Sequence, residues 1–474
     1  MESAGRAGAA AGAGPGALRR TLTFRDLVVY GLLFIAPMAP VGIFGTLQAK
    51  SHGAITVVYG VATVAMACTA YAYAQMVRVA PGAGSVYTYA RVGLGDGAGF
   101  VAGWMAMLDY LLIPAVAYLF SGIALHALVP AVHQWVWTAL AVVVTTLLNL
   151  WGVRTAAVVG FVVLAMELAV LLVFVGAALY VLVSAGAERG WSEPFTGEGG
   201  FAPLAVLSAV SVAVLSFLGF DAVASFAEES AGGASRVARA VLSCLVVAGV
   251  LFAVQTYLAA LLAPMSAAEL AAEPGEQGGA FYATADAAVG PWLGKLVAAG
   301  KALGAAFAAL AGQAAAGRLL FAMARDRRLP GAMAGVDARR GVPRRALLAA
   351  AVVTLVAAVW AARRDDGLDQ LSSIVNVGAL TAFGLLHASV IGWFRFRARE
   401  RAGVPGVLRH VVVPLLGLAV VAAVLVAAAP TAQVVGGCWL LVGLVALAVR
   451  HGRRSRAGGA VTEHEAGTEG TAGD

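Results

Sequence analysis

Three acidic residues follow an apolar stretch that has the composition of a membrane-spanning helix. Residues 203–230, with the sequence PLAVLSAVSVAVLSFLGFDAVASFAEES, are apolar until Asp221, and Glu228 and Glu229 come about two helical turns later. A carboxylate at the centre of a membrane costs on the order of several kcal/mol unless it faces protein, water or a cation. Gly219, between two phenylalanines, predicts that the helix is interrupted here, which frees backbone groups to bind a solute in a cavity.

Two more carboxylates lie within apolar segments. Asp109 stands beside Tyr110 in LDYLLIP, and this pair suits an ammonium group through ion pairing and cation–π attraction. The alternative is that Asp109 caps a neighbouring broken helix or pairs with Lys301. Glu167 stands in LAMELAVLL, where a buried carboxyl group can exchange protons near neutral pH or make a structural hydrogen bond. Lys301 is early enough in its segment to extend outward to the membrane surface, and we assign it no role.

The sequence contains no pattern that indicates a metal site, a disulfide framework, a catalytic set or an ATP site. The three Cys and seven His residues are dispersed, without the spacing of a metal site, a disulfide framework or a catalytic set. The chain has no GxxxxGK[ST] motif for ATP. We therefore expect neither an enzyme nor a cofactor. A membrane solute sensor remains a remote alternative, although such a protein would usually add a soluble signalling domain to these short tails.

The composition is that of a protein with many membrane spans. The 474 residues are 61% hydrophobic and 12% charged, and their mean hydropathy is +0.87. Twelve apolar runs are long enough to cross a hydrocarbon core of roughly 30 Å as helices. These predicted spans 1 to 12 cover residues 26–47, 54–77, 98–129, 134–150, 156–184, 203–227, 237–263, 292–317, 346–362, 371–394, 407–429 and 431–449.

The basic residues predict the orientation in the membrane. If the amino terminus is cytoplasmic, 26 of the 32 Lys and Arg residues fall on the cytoplasmic side, where such residues are retained. Both termini are then cytoplasmic and the protein is a multi-pass plasma-membrane protein. The net charge of +7 follows from these arginines rather than from nucleic-acid binding. The polar, low-complexity ends at residues 1–21 and 451–474 are expected to be disordered.

Span 1 carries a second predicted break. Pro37 and Pro40 remove amide donors, and Gly42 and Gly45 permit torsions that other residues resist, so the helix is expected to break between Ala36 and Gly45. The alternative is a simple proline kink. Breaks in spans 1 and 6 are five spans apart and so have opposite orientations. We therefore expect two inverted repeats around a midplane site. The repeats would occupy residues 22–184 and 185–395, followed by two further spans in residues 396–450.

Several segments resemble a known family of transporters, the amino acid–polyamine–organocation permeases, and most closely their bacterial putrescine-importer branch. The resemblance covers roughly residues 22–450. Its motifs, in family order, are PVGIFG (40–45), PGAGSVYTYAR (81–91), GWMAMLDYLLIPAV (103–116), SFLGFDAVASFAEES (216–230), GRLLFAMARDRRLP (317–330) and NVGALTAF (376–383).

The resemblance implies an all-α fold with a five-plus-five inverted repeat. Substrate would lie between the unwound parts of spans 1 and 6, flanked by spans 3, 8 and 10. Amino acid members have Gly-x-Gly where this chain has Pro40, Val41 and Gly42, and Pro40 has no amide hydrogen for a substrate carboxylate. The implied substrate-binding positions are Ala39, Pro40, Val41, Gly42, Ile43, Asp109, Tyr110, Phe217, Gly219, Phe220 and Asp221.

The resemblance also implies roles outside the binding pocket. Proton-coupled members have a lysine in span 5 where this chain has Glu167, so Glu167 is expected to carry or sense the coupling proton. Phe217 or Phe220 would close over substrate. Glu228 and Glu229 are expected to form a cytoplasmic gate with arginines such as Arg236 and Arg239, or with the Arg-rich loop at residues 318–345.

The function expected from the sequence is secondary active import of an organic cation by alternating access. A polyamine such as putrescine is the first candidate, coupled to protons, with sodium as the other candidate ion. The alternatives are a permease for cationic or neutral amino acids and an exchanger of the same superfamily. The expected partners are the small cationic or zwitterionic substrate and the lipid bilayer, for a monomer or homodimer that binds no nucleic acid.

Overall fold

The computed structural model describes residues 22–80, 86–151, 156–225, 230, 232–325, 330–335, 343–398 and 404–469. These residues form helices joined by short turns, and the regular backbone pairing between separate segments is a single bridge from Leu22 to Ser230. The helices, in chain order, are α1 (Phe24–Ile35), α2 (Phe44–Lys50), α3 (Ile55–Val79), α4 (Val86–Leu94), α5 (Asp96–Leu128), α6 (Gln134–Trp151), α7 (Ala156–Ser184), α8 (Glu193–Thr196), α9 (Pro203–Ala213), α10 (Ala222–Ser225), α11 (Gly233–Leu261), α12 (Ala267–Ala272), α13 (Ala280–Ala288), α14 (Pro291–Arg325), α15 (Arg344–Ala362), α16 (Gly367–Ile391), α17 (Val404–Val407), α18 (Val413–Val426) and α19 (Pro430–Glu469).

Eleven helical segments in the described chain are long and apolar enough to cross a membrane. They coincide with eleven of the twelve predicted spans. The sixth predicted span contains a shorter apolar helix, Pro203–Phe217, because the chain leaves the helical path before the segment reaches membrane length. An all-α, multi-pass membrane protein is therefore confirmed, with the sixth span interrupted as the sequence predicts.

The break in span 6 depends on Gly219. Helix α9 ends at Ala213, a 3-10 turn covers Val214–Phe217, and the short helix α10 begins only at Ala222. Gly219 has a φ of +106°, a conformation that favours glycine. A Cβ atom there would also lie 2.8 Å from the backbone oxygen of Phe34, so the glycine lets span 6 approach span 1.

The break in span 1 falls where the prolines predict it. Helix α1 ends at Ile35, Ala36 adopts a φ of +60°, a 3-10 turn covers Ala39–Gly42, and α2 begins at Phe44. The expected reason for the glycines is wrong, however. Neither Gly42 nor Gly45 has a positive φ. A Cβ atom on Gly42 would instead overlap the ring of Phe120, so close packing, not torsion, requires a glycine there.

The two broken spans run in opposite directions. The first half of span 1 (α1) contacts the second half of span 6 (α10), the second half of span 1 (α2) contacts α9, and the two 3-10 turns touch. Corresponding spans of the two repeats also pack together, since α3 lies against α11 and α5 against α14. These contacts match the five-plus-five arrangement inferred from the two breaks.

The last two spans, α18 and α19, lie at the edge of the molecule. Many of their large apolar side chains are exposed, as lipid-facing residues would be. The indole N–H of Trp104 in α5 donates to the backbone oxygen of Trp439 in α19 (2.8 Å), and Trp439 returns the bond to Trp104 (2.9 Å). Helix α19 continues to Glu469, whereas the composition predicts a disordered tail over 451–474. The Ala, Arg and Glu residues of this tail are good helix formers.

Candidate functional site

Side chains from other spans bind the backbone carbonyls that the break in span 1 leaves free. The Nε2 of Gln255 in α11 donates to the oxygen of Pro37 (3.0 Å), and the Nζ of Lys301 in α14 donates to the oxygen of Met38 (3.0 Å). Both donors are buried. An unwound backbone within a membrane protein needs such partners, because lipid supplies none.

Lys301 therefore points inward, and the expectation that it extends outward to the membrane surface is wrong. Its side chain is buried, and its Nζ lies 4.6 Å from the ring centre of Phe120. That ring covers Gly42. Hydrogen bonding to the Met38 carbonyl and contact with an aromatic face offset the cost of burying the ammonium group. The contacts of Lys301 therefore differ from the alternative in which it pairs with Asp109.

Glu167 lies on the other side of the same backbone. It is buried in α7, accepts a hydrogen bond from the backbone N–H of Met38 and interacts electrostatically with Lys301. A Cβ atom on Gly304 would overlap the Glu167 carboxylate, so this glycine makes room for it. Glu167 and Lys301 thus bind the N–H and the C=O of one residue in the break. A structural hydrogen bond, one of the two readings of Glu167, is present.

The break in span 6 has its own partner in span 10. The Nδ2 of Asn376 in α16 donates to the oxygen of Ser211 (2.7 Å) and more weakly to that of Val212 (3.3 Å), which lie at the end of α9. Tyr59 in α3 holds the following turn, since its hydroxyl is 3.0 Å from the Ser216 hydroxyl. Spans 2 and 10 therefore fix the end of this break that follows α9.

Asp221 lies just beyond the break, next to a cluster of aromatic rings. The hydroxyl of Tyr73 donates to its Oδ2 at 3.3 Å. The Tyr73 ring makes edge contacts with Tyr89 and Phe220, both at 5.8 Å between centroids, and with Phe383 at 6.0 Å. Aromatic rings from four different segments of the chain thus lie near this one carboxylate.

Asp109 and Tyr110 face the same region from α5. Both interact electrostatically with Asp221. They are near the middle of a 33-residue helix, and both are only partly buried. The Oδ1 of Asp109 is buried and has no hydrogen-bond partner in the part of the chain that the structure describes. The structure therefore brings Asp109, Tyr110, Phe220 and Asp221 together.

The other predicted binding positions have different surroundings. Phe217 is buried against Tyr59 and Phe252, at centroid distances of 6.4 and 5.0 Å. In the turn of span 1, the N–H of Val41 already donates to Met38 and that of Ile43 to Pro40. Ala39 and Gly42 belong to the same 3-10 turn. The predicted gate residues Glu228 and Glu229 lie outside the described residues.

Carboxylates in the loops that the predicted orientation assigns to the external side are bound by basic residues. Three of them form ion pairs: Asp369 with Lys50 (3.0 Å), and both Glu193 (3.1 Å) and Glu198 (2.7 Å) with Arg189. A cavity of about 350 Å³ is lined by Arg363 and Arg364 and by one carboxylate, that of Asp365. These loop carboxylates thus take part in ion pairs that hold loops and helix ends together.

Comparison with known sequences decides the family. A profile described as amino acid permease matches residues 27–439, which is most of the chain and includes both helix breaks. The chain belongs to the amino acid permease family. Its members are transporters, and the permease described here accordingly has the many membrane spans that such a function requires.

Known relatives of this permease carry different solutes. It is 28% identical over 436 residues to the low-affinity putrescine importer PlaP of Escherichia coli strain K12, covering 91% of this chain and 93% of the relative. It is also 28% identical over 414 residues to the branched-chain amino acid permease BcaP of Bacillus subtilis, covering 81% and 82% of the two chains. A vacuolar cationic amino acid transporter 4 of Arabidopsis thaliana is 26% identical over 400 residues, covering 80% of this chain and 64% of the relative.

Two residues of the candidate site were missed in the sequence, and a third, Lys301, was given the wrong direction. Tyr73 and Gln255 occur in apolar spans without any distinguishing pattern, so only the fold shows that they reach the breaks. Lys301 had a usable signal, because Gly300 and Gly304 flank it in AAGKALGAA. Small residues on both sides of a charged residue in a span indicate close helix packing, and hence an inward direction.

Proposed function

We propose that this permease imports an organic cation, with a polyamine such as putrescine as the first candidate. The observation that carries the proposal is the proximity of Asp109 and Asp221 beside the break in span 6. Two carboxylates that repel each other within a membrane-spanning region favour a positively charged ligand. The rings of Tyr73, Tyr110 and Phe220 add surfaces on which ammonium and methylene groups of an alkyl amine pack well.

The turn of span 1 supports a substrate without a carboxylate. Pro40 has no amide hydrogen, and the N–H groups of Val41 and Ile43 donate within the turn. A substrate carboxylate would have to compete with these bonds and with the negative charge of the two aspartates. A diamine avoids both costs, and the relative PlaP is named as a putrescine importer.

We also propose that import is coupled to protons through Glu167. Its carboxyl group and the Lys301 ammonium group hold the two backbone groups of Met38, so a change in the charge of Glu167 changes what holds the break in span 1. Protonation of Glu167 would weaken its attraction to Lys301. Substrate binding and proton binding would then act on the same segment, which is the requirement for coupling.

An amino acid permease is the second candidate. The relatives named as branched-chain and cationic amino acid carriers support it, because their identity to this chain is close to that of the putrescine importer. A cationic amino acid would satisfy the aspartates through its side chain. Its carboxylate would then need a partner other than the amides of Val41 and Ile43.

Transport by the purified protein tests the substrate. The permease is reconstituted into proteoliposomes, and uptake of labelled putrescine is competed with diamines, arginine, leucine and alanine under an imposed pH gradient. We expect diamines to compete best. Competition by arginine, leucine or alanine, but not by diamines, would overturn the polyamine assignment.

Replacement of Glu167 tests the coupling in the same assay. The Glu167→Gln variant keeps the size of the side chain but cannot gain or lose a proton, so its uptake should no longer rise with the pH gradient. The matched control is Glu188→Gln, which changes an exposed carboxylate after span 5 and should leave the response intact. An unchanged gradient response in Glu167→Gln would rule out this carboxyl group as the coupling site.

A further inference from the structure

A groove of about 750 Å³ lies where the amino-terminal ends of α1 and α11 meet. Arg25 of α1 and Arg236 and Arg239 of α11 supply its charged lining, while Phe24 and Leu242 supply apolar surface. It is separate from the helix breaks. The family resemblance gives Arg236 and Arg239 a role only through Glu228 and Glu229, which lie outside the described residues.

The positive charge of this groove is not balanced by described carboxylates. None of the three arginines makes an ion pair with a described residue. Asp26, in the first turn of α1, is already bound by the backbone N–H (2.8 Å) and the hydroxyl (2.7 Å) of Thr23. Three guanidinium groups around one space favour an anion with several oxygen atoms, above all a phosphate.

The depth of the groove corresponds to the headgroup region of a membrane. Spans 1 and 7 both begin here, at Phe24 and Gly233, so their first turns lie near the boundary between hydrocarbon and water. Deeper in the membrane the two helices close against each other. The Sγ of Cys244 lies 3.4 Å from the oxygen of Val28, and a Cβ atom on Gly31 would overlap that sulfur. The groove therefore has a floor and opens toward the headgroups.

A row of exposed valines continues from the arginines along α11. Val246, Val250 and Val254 follow one another at intervals of four residues, and their exposed fractions are 57%, 58% and 42%. Arg239 and Ser243 begin the same row. This face of the helix thus presents a cation at headgroup depth and an apolar strip below it.

We propose that the groove binds the headgroup phosphate of an anionic phospholipid, with an acyl chain along the valine row. Inorganic phosphate could satisfy the arginines, but it would make no use of the apolar strip. A bound lipid would bridge α1, the first half of the broken span 1, to α11 of the second repeat. In this proposal the groove arginines contact a lipid, and they do not pair only with Glu228 and Glu229.

Native mass spectrometry of the full-length protein in detergent tests the proposal. Dioleoylphosphatidylglycerol, dioleoylphosphatidylcholine or inorganic phosphate is added, and the occupancy of bound lipid is measured as a function of concentration. We expect phosphatidylglycerol to bind more tightly than phosphatidylcholine. Each of Arg25→Gln, Arg236→Gln and Arg239→Gln should weaken its binding about fivefold, the usual contribution of one basic residue near an anionic surface.

Two further variants keep the test decisive. A triple variant with Arg395→Gln, Arg397→Gln and Arg409→Gln removes three exposed arginines elsewhere and should bind phosphatidylglycerol like the wild type. Lysine at the three groove positions keeps the charge and should keep most of the affinity, even if the glutamine variants fold poorly. The proposal is overturned if phosphatidylcholine binds equally well, if the groove and control variants behave alike, or if equimolar inorganic phosphate displaces the lipid.

Discussion

At the scale of single residues, Asp109 offers the most direct test of the proposed substrate site. Its Oδ1 atom is buried without a hydrogen-bond partner in the described chain, so it can accept a hydrogen bond from a ligand. Asp109→Asn removes a charge-assisted hydrogen bond worth about 1.5–3 kcal/mol, so the KM for putrescine uptake should rise about 10- to 150-fold. The exposed Asp96 of the same helix is the control, and Asp96→Asn should not change KM. Full putrescine affinity in Asp109→Asn would remove this residue from the site.

The Glu167 and Lys301 pair gives a prediction about stability. Lys301→Met removes one of the two hydrogen bonds to the Met38 carbonyl and leaves Glu167 buried without its counter-charge, which should lower the free energy of unfolding by about 3–5 kcal/mol. The double variant with Glu167→Gln should be more stable than Lys301→Met alone, because the uncompensated charge is gone. Thermal unfolding of the purified protein in detergent measures both.

Lys295→Met is the matched control for this pair. Lys295 lies near the start of the same helix α14 but is exposed, so its replacement should leave the melting temperature nearly unchanged. If the effects of Lys301→Met and Glu167→Gln simply add, the two side chains are energetically independent and our account of the pair fails.

Sequence reasoning named the acidic residues of the candidate site but not the residues that contact them. An acid in an apolar span is conspicuous because it is costly there, which is why Asp109, Glu167 and Asp221 were identified. The direction of a side chain around a helix is harder to predict when the helix is apolar on all sides, as α14 is. Lys301 was therefore given the wrong direction, and its contact with Met38 depends on a fold that the residue itself does not reveal.

At the scale of elements, the break in span 6 predicts that replacing two different glycines by alanine has very different effects. Gly219→Ala puts a Cβ atom against the Phe34 backbone and forces a strained φ, at a cost of about 1–3 kcal/mol. Gly60→Ala, in the middle of α3, meets no atom within 4 Å and removes a helix-destabilising glycine. Uptake and melting temperature should both fall in the first variant and be maintained in the second. A Gly219→Ala protein with normal uptake would show that this close approach is not needed for transport.

The positions of the breaks were predictable, and the interactions that satisfy them were not. Proline lacks an amide hydrogen and Gly219 lacks a Cβ atom, so the local sequence alone identifies where a helix cannot continue. The carbonyls freed there are bound by Gln255, Lys301 and Asn376, which come from three distant spans. The acceptor of Asn376 at the end of α9 follows only from the packing of span 10.

At the scale of the whole molecule, the opposite directions of the two broken spans determine how the protein can open. The half-helices α1 and α10 lie together at one membrane face, and α2 and α9 lie together toward the other. Because substrate would bind at the breaks between these pairs, separating either pair exposes the site to one side only. The inverted repeat was predictable from two breaks with an odd separation, whereas the packing of α3 on α11 and α5 on α14 required the structure.

The backbone bridge between Leu22 and Ser230 allows this opening to be tested. It joins the residues just before α1 to those after α10, at the face where these half-helices meet. Bridge-paired residues lie about 5 Å apart, within the range of a disulfide. A Leu22→Cys, Ser230→Cys double variant should therefore cross-link on oxidation, hold this face closed and stop putrescine uptake in proteoliposomes. A reducing agent should restore uptake, and Leu22→Cys alone or Ser230→Cys alone, each of which adds one cysteine to the three native ones, should be insensitive to the same oxidant. Undiminished uptake by a fully cross-linked protein would mean that α1 and α10 need not separate, and alternating access through this face would be wrong.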